Sequence, residues 1–133
     1  TDIGFVGTFR AKDWSERREN LLREKTLSVG GRFQVFQPPS QLSDASGVLD
    51  ALASWISRLP KPCGIMGAND LIADLVLQAC QFGGIAVPDA VSVVGVDDDL
   101  AISARSPRTI SSAWRRRAAP AAAPAAACSR RTP

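Results

Sequence analysis

Three consecutive carboxylates, Asp97, Asp98 and Asp99, follow the apolar run Val91-Ser92-Val93-Val94-Gly95-Val96. An Asn69-Asp70 pair likewise follows the short apolar run Gly64-Ile65-Met66-Gly67. Carboxylates grouped at a strand end can accept paired hydrogen bonds from sugar hydroxyls, hold a hard cation, or cap the next turn. Three acids side by side repel and are costly to bury, so one of them is expected to face a cleft and the others to serve the turn and surface. Asn69 is a helix N-cap by position, yet its amide can also donate and accept at a ligand hydroxyl. Asp70 reads as a first-turn helix acid favoured by the helix dipole. Trp14 begins a helix after a polar loop. Its ring can stack on the C–H face of a sugar or act as a hydrophobic staple for that helix. Trp55 reads more simply as core or dimer surface.

Other chemistries lack material. The chain has no His, and Cys63, Cys80 and Cys128 show no metal-ligand spacing, so zinc chemistry and a Ser-His-Asp triad are not expected. Cys63 and Cys80 read as small core residues, Cys63 just before a strand and Cys80 on the apolar face of a helix. No G-x-G-x-x-G follows the first strand and no Walker Gly-Lys-Ser/Thr occurs, so no nucleotide cofactor is expected. A phosphoacceptor reading of Asp97 fails as well, because the acids follow the fourth strand and no Lys occurs after Lys61.

The elements that position these residues alternate regularly. Ile3–Gly7, Arg32–Phe36, Gly64–Gly67 and Val91–Val96 read as strands, and Thr109–Ser112 as a short fifth. Helices are predicted over Trp14–Glu24, over a segment capped by Ser43 or Asp44, and over Asp70–Phe82. In the second of these, Val48, Leu49, Leu52, Ile56 and Leu59 recur at helical spacing, and Pro60 and Pro62 stop it. Gly83-Gly84 ends the third. The order βαβαβαβ implies an α/β domain, a three-layer parallel sheet with helices on both faces. In such sheets ligands bind beyond the carboxyl ends of the strands, where Asn69 and Asp97 both stand.

The run Cys63-Gly-Ile-Met-Gly-Ala-Asn-Asp to Val87-Pro-Asp-Ala-Val-Ser-Val-Val-Gly-Val-Asp-Asp-Asp99 resembles the effector-binding domain of the lac-repressor family of transcription regulators. There an A-N-D motif and a V-P-D…S-V-V-G-x-D-D motif form a distinctive segment. The resemblance extends over residues 3–112. It implies one lobe, the C-terminal one, of a periplasmic-binding-protein-like (type I) fold. It also implies that Asp97 is the effector contact and that Asn69 touches the effector. Arg18, within Arg-Glu-Asn-Leu-Leu, looks like the family's R-x-x-G-aromatic element, whose Arg reaches the effector with a fixed fork of donors. Asn20-Leu21-Leu22 replaces the Gly-aromatic pair, and the adjacent Arg17 is the alternative. The pattern Trp-Ser-x-x-Arg at 14–18 resembles the sensory domain of xylose-operon regulators. The parent protein is then expected to be an effector-controlled, cytoplasmic, dimeric transcription regulator with a sugar as effector. DNA contact would come through a domain absent from this chain, and no enzymatic activity is expected. A lobe of a periplasmic sugar-binding protein of a transporter is the alternative.

At 133 residues the chain has room for one domain with a sizeable core. No stretch approaches the roughly 20 apolar residues that span a membrane, and an odd, scattered cysteine count fits a reducing compartment. The first residues, Thr1-Asp2-Ile3, enter a strand at once and read as a cut inside a larger protein. The net charge of +3 is unevenly spread: residues 113–133 carry five arginines and no acid, leaving residues 1–112 at −2. Nine Ala, five Arg and three Pro in those last 21 residues predict a disordered or extended tail. A reading frame shifted after Ser112 accounts for that composition, with a natural Ala-Pro linker as the alternative. The expected organisation is therefore a lobe over 1–112 and a tail over 113–133.

Overall fold

The structure is a computed structural model that describes residues 1–9, 12–38, 45–97 and 99. Strands and helices alternate as β1 (Asp2–Val6), α1 (Asp13–Ser28), β2 (Arg32–Val35), α2 (Ala45–Arg58), β3 (Cys63–Gly67), α3 (Asp70–Phe82) and β4 (Val91–Val94). All pairings are parallel, in the order β2-β1-β3-β4. The β1–β3 register sets Val6 beside Gly67, so the carboxyl ends of the two central strands lie level. The expected α/β class is the one observed.

Handedness places the helices. A β–α–β crossover between parallel strands is right-handed in nearly all cases. The chain steps from β1 to β2 in one direction across the sheet, and from β2 to β3 and β3 to β4 in the other. Hence α1 covers one face, and α2 and α3 cover the opposite one. Period-two alternation along the strands agrees. Val6, Cys63, Ile65, Val91 and Val93 join Leu52 and Ile56 of α2 and Ile72, Val76 and Cys80 of α3 in one buried cluster. Each fully buried aliphatic side chain contributes about 1.5–3 kcal/mol, so this face carries most of the stability. Trp55, half-buried on α2, lies against Phe36 with ring centroids 5.5 Å apart, at the edge of that core. Burial pushes the Cys80 thiol up to about 11, the neighbouring Cys63 adding to the shift. Both cysteines are buried free thiols, as the sequence suggests.

The α1 face is built differently. Phe5 is fully buried there, but the buried residues of α1 are Ser15 and Thr26, while Leu21 and Leu27 are exposed. The Ser15 hydroxyl accepts from the Thr8 N–H at 3.3 Å, and Thr26 Oγ1 donates to the Leu22 carbonyl at 2.7 Å. Without an apolar stripe, the sequence signal for the end of α1 is weak. The helix runs four residues past the expected Glu24, to Ser28, and stops just before Gly30-Gly31, where Gly30 takes a positive φ.

Two further boundaries differ. Cys63 opens β3 rather than preceding it, its N–H donating to the Ala90 carbonyl at 3.1 Å. β4 ends at Val94, not Val96. The expected strand Thr109–Ser112, the caps Ser43 and Asp44, and the tail 113–133 lie outside the described residues.

Candidate functional site

The rim beyond the carboxyl ends of the strands gathers most of the chemistry-bearing residues. Gly7 leaves β1, Ala68 and Asn69 leave β3, and Gly95 to Asp97 leave β4. Asn69 has extended backbone, and its Oδ1 accepts from the Ile72 N–H at 3.0 Å, the N-cap of α3. That bond occupies the carbonyl oxygen. The amide NH2 of Asn69 donates to no protein group among the described residues, so it is available toward the rim.

Arg18 lies on the second turn of α1 and reaches across the sheet end. Its Nη1 donates to the Ala68 carbonyl, and its Nη2 donates to Asp97 Oδ1 at 3.2 Å. The guanidinium carbon stands 4.8 Å from the centre of the Trp14 ring, one turn earlier on the helix. Trp14, Arg18 and Asp97 thus form one contiguous group, joined to Asn69 through the adjacent Ala68. Arg17 is exposed and does not take this position. The Arg18 and Asp97 side chains are 29% and 52% exposed, and an ion pair that wet is worth at most about 1 kcal/mol. It holds the groups in place but is cheap to open.

Asp97 has φ 117°, in the region that favours glycine. A non-glycine residue held there costs about 1–3 kcal/mol, and such strain collects at ligand clamps and switches. Asp98 lies outside the described residues. Asp99 is exposed at its side chain, in keeping with a turn residue.

Asp70 departs from the expectation. It occupies the first position of α3, as a dipole-favoured acid would, but it is only 4% exposed. Its Oδ2 accepts from the Asp99 N–H at 2.7 Å, and its Oδ1 is buried with no hydrogen-bond partner among the described residues. The sequence carries one trace of this. A Cβ on Gly95 would stand 2.2 Å from Asp70 Oδ1, so the glycine of the Val-Val-Gly-Val-Asp run makes room for the Asp of the Asn-Asp pair. The Ala68 carbonyl is the second participant that side-chain chemistry alone could not reveal.

A small hollow extends the rim at the ends of β1 and β2, lined by residues that include Gly7, Thr8, Lys12, Ser15, Glu16 and Phe36. Among the described residues no three His, Cys, Asp or Glu side chains stand together as metal ligands. No helix among the described residues is long and apolar enough to cross a membrane.

Known proteins resemble this chain in sequence and in fold. The chain is 39% identical over 104 residues to the xylose operon regulatory protein of Haemophilus influenzae, covering 76% of this chain and 26% of that protein. It is 30% identical over 92 residues to the xylose operon regulatory protein of Escherichia coli K12, covering 66% and 23%. The chain therefore spans about a quarter of the length of the curated relatives it matches. Among solved structures, the xylose-binding transcription activator XylR superposes with a TM-score of 0.66 at 28% identity, over 74% of this chain and 27% of that one. A LacI-family transcriptional regulator from Rhizobium etli superposes with a TM-score of 0.62 at 23% identity, over 80% and 40%, and supports the fold. The model of the periplasmic binding protein-like domain matches residues 1–127, running past residue 112 into the Ala/Arg/Pro-rich segment. An open parallel sheet with its polar groups on the carboxyl rim, matched over nearly its whole length by that model, belongs to the periplasmic binding protein-like domain family.

Proposed function

We propose that the chain is a sugar-sensing lobe of a transcription regulator, with a pentose of the xylose type as effector. The observation that carries this reading is the group on the rim. Arg18 supplies a fork of donors, Asp97 an acceptor, Asn69 a free amide and Trp14 a half-exposed ring, all beyond the carboxyl ends of one parallel sheet. A sugar needs such a set: an aromatic face for its C–H groups and paired donors and acceptors for its vicinal hydroxyls. Effector hydroxyls would bond to Arg18 and Asp97 in place of their weak ion pair. Closure of a facing lobe would then carry the signal to DNA-binding segments of a dimer. The relatives similar in both sequence and structure are transcription regulators, so the transporter-protein alternative is not favoured. Those relatives are not enzymes, and no catalytic role is proposed for this chain.

Titration of this chain with D-xylose, followed by NMR, tests the reading. Asp97→Ala removes a charge-assisted hydrogen bond worth about 1.5–3 kcal/mol, a loss of roughly ten- to a hundredfold in affinity. Asp99→Ala, which leaves the Asp99 N–H in place, should lower affinity by less than about threefold. Equal losses from the two variants, or a larger one from Asp99→Ala, would mean that Asp97 is the wrong carboxylate.

A further inference from the structure

Asp70 lies behind the rim, where no ligand reaches it. Its side chain is 4% exposed, one oxygen bonds the Asp99 N–H at 2.7 Å, and the other is buried with no partner among the described residues. For stability alone this is a poor choice. The helix already has its cap in Asn69, and a half-matched buried carboxylate costs free energy that the helix dipole offsets only in part. A carboxylate here does, however, reach the backbone of the turn after β4. Two residues before Asp99, Asp97 is held at φ 117° with Arg18 on its side chain. Strain of that kind persists only where the surroundings fix the backbone.

We propose that Asp70 is a positioning residue: through the Asp99 N–H it pins the turn that holds Asp97 in its strained, rim-facing conformation. Gly95 belongs to the same device, since any side chain there would collide with Asp70 Oδ1. The Asn-Asp pair after β3 and the Gly-x-Asp-x-Asp run after β4 are then one unit that couples two loops. Asn69 starts the helix and faces the rim, while Asp70 anchors the opposite loop. This inference rests on the reading of Asp97 as an effector contact.

Amide hydrogen exchange and D-xylose titration of the 133-residue chain separate the two claims. In the wild-type chain the Asp99 amide, though in an exposed loop, should exchange at least about tenfold more slowly than an open amide. Asp70→Ala should remove that protection and weaken xylose binding about as much as Asp97→Ala. Asp70→Asn, whose amide oxygen still accepts from the Asp99 N–H, should keep the protection and hold affinity within about threefold of wild type. Gly95→Ala should weaken binding in the wild-type background and add less than about twofold in the Asp70→Ala background, because the two changes break one unit. If Asp70→Ala does not fold, the wild-type exchange rate and the Asp70→Asn variant decide. An unprotected Asp99 amide, or Asp70→Asn losing xylose binding with that amide still protected, overturns the positioning role. So does a folded Asp70→Ala that binds like wild type while Asp97→Ala does not. Asp97→Ala binding xylose as tightly as wild type instead sinks the effector reading, and the exchange data still judge the turn.

Discussion

At the scale of single residues, backbone strain separates function from stability at Asp97. A residue at φ 117° pays for its side chain, and a glycine at the same place does not. Among the described residues the Asp97 side chain pairs with Arg18 alone, in a half-exposed ion pair worth at most about 1 kcal/mol. The strain therefore equals or exceeds what the pair returns, so folding alone does not favour an Asp here. Asp97→Gly and Asp97→Ala both lose the carboxylate, but only the glycine relieves the backbone. Asp97→Gly should be more stable than Asp97→Ala by about 1 kcal/mol, read from urea unfolding midpoints at equal slope. Both should bind D-xylose equally poorly. If the alanine variant is as stable as the glycine variant, the backbone at Asp97 is not strained and its conformation needs no anchor.

Among the elements, legibility followed locality. α3 was predicted as Asp70–Phe82 and is found there, because Asn69 caps it and Gly83-Gly84 stops it with signals that lie next to the helix itself. α1 is predicted over Trp14–Glu24 but runs to Ser28, since its inward face is Ser15 and Thr26 and no apolar period marks its length. Of the candidate site, Trp14, Arg18, Asn69 and Asp97 were named from residue type, position and family resemblance. Their grouping on one rim follows from the order of the strands. Burial of Asp70 was not legible, because it is imposed by β4 and the loop after it, more than twenty residues downstream. The same packing fixes Gly67 at the end of β3. A Cβ there would stand 2.5 Å from the Ala73 N and 3.0 Å from the Asn69 carbonyl, backbone atoms that cannot step aside. Gly67→Ala should push α3 off the sheet end and cost about 1–3 kcal/mol in unfolding free energy, with Asn69 and Ala68 displaced together. Gly30→Ala meets no atom within 4 Å but carries φ 73°, so its cost should be backbone strain alone and should leave xylose affinity untouched. A loss below about 0.5 kcal/mol for Gly67→Ala would mean that the helix–strand junction gives way easily.

Taken together, the described residues present one rim and not an enclosed cleft. Ligand sites that bind tightly bury most of the ligand and set polar groups around it on several sides. The chain spans about a quarter of its curated relatives, and the resemblance to the lac-repressor family implies that a second lobe faces this one across the effector. A sugar seated on Arg18, Asp97 and Asn69 would keep its far side in water. A micromolar effector is bound by about 8.2 kcal/mol, and if the two lobes share that equally, one lobe keeps about 4.1 kcal/mol, a millimolar affinity. Ordering the side chains of an open rim lowers that further, because a lone lobe has no partner to hold them. The 133-residue chain should therefore bind D-xylose with a dissociation constant of about 1 mM or weaker, measured by NMR titration. Adding the facing lobe in one polypeptide should tighten binding by at least about a hundredfold. Micromolar binding by this chain alone would show that the rim is a complete site, and the division of the effector between two lobes would then be wrong.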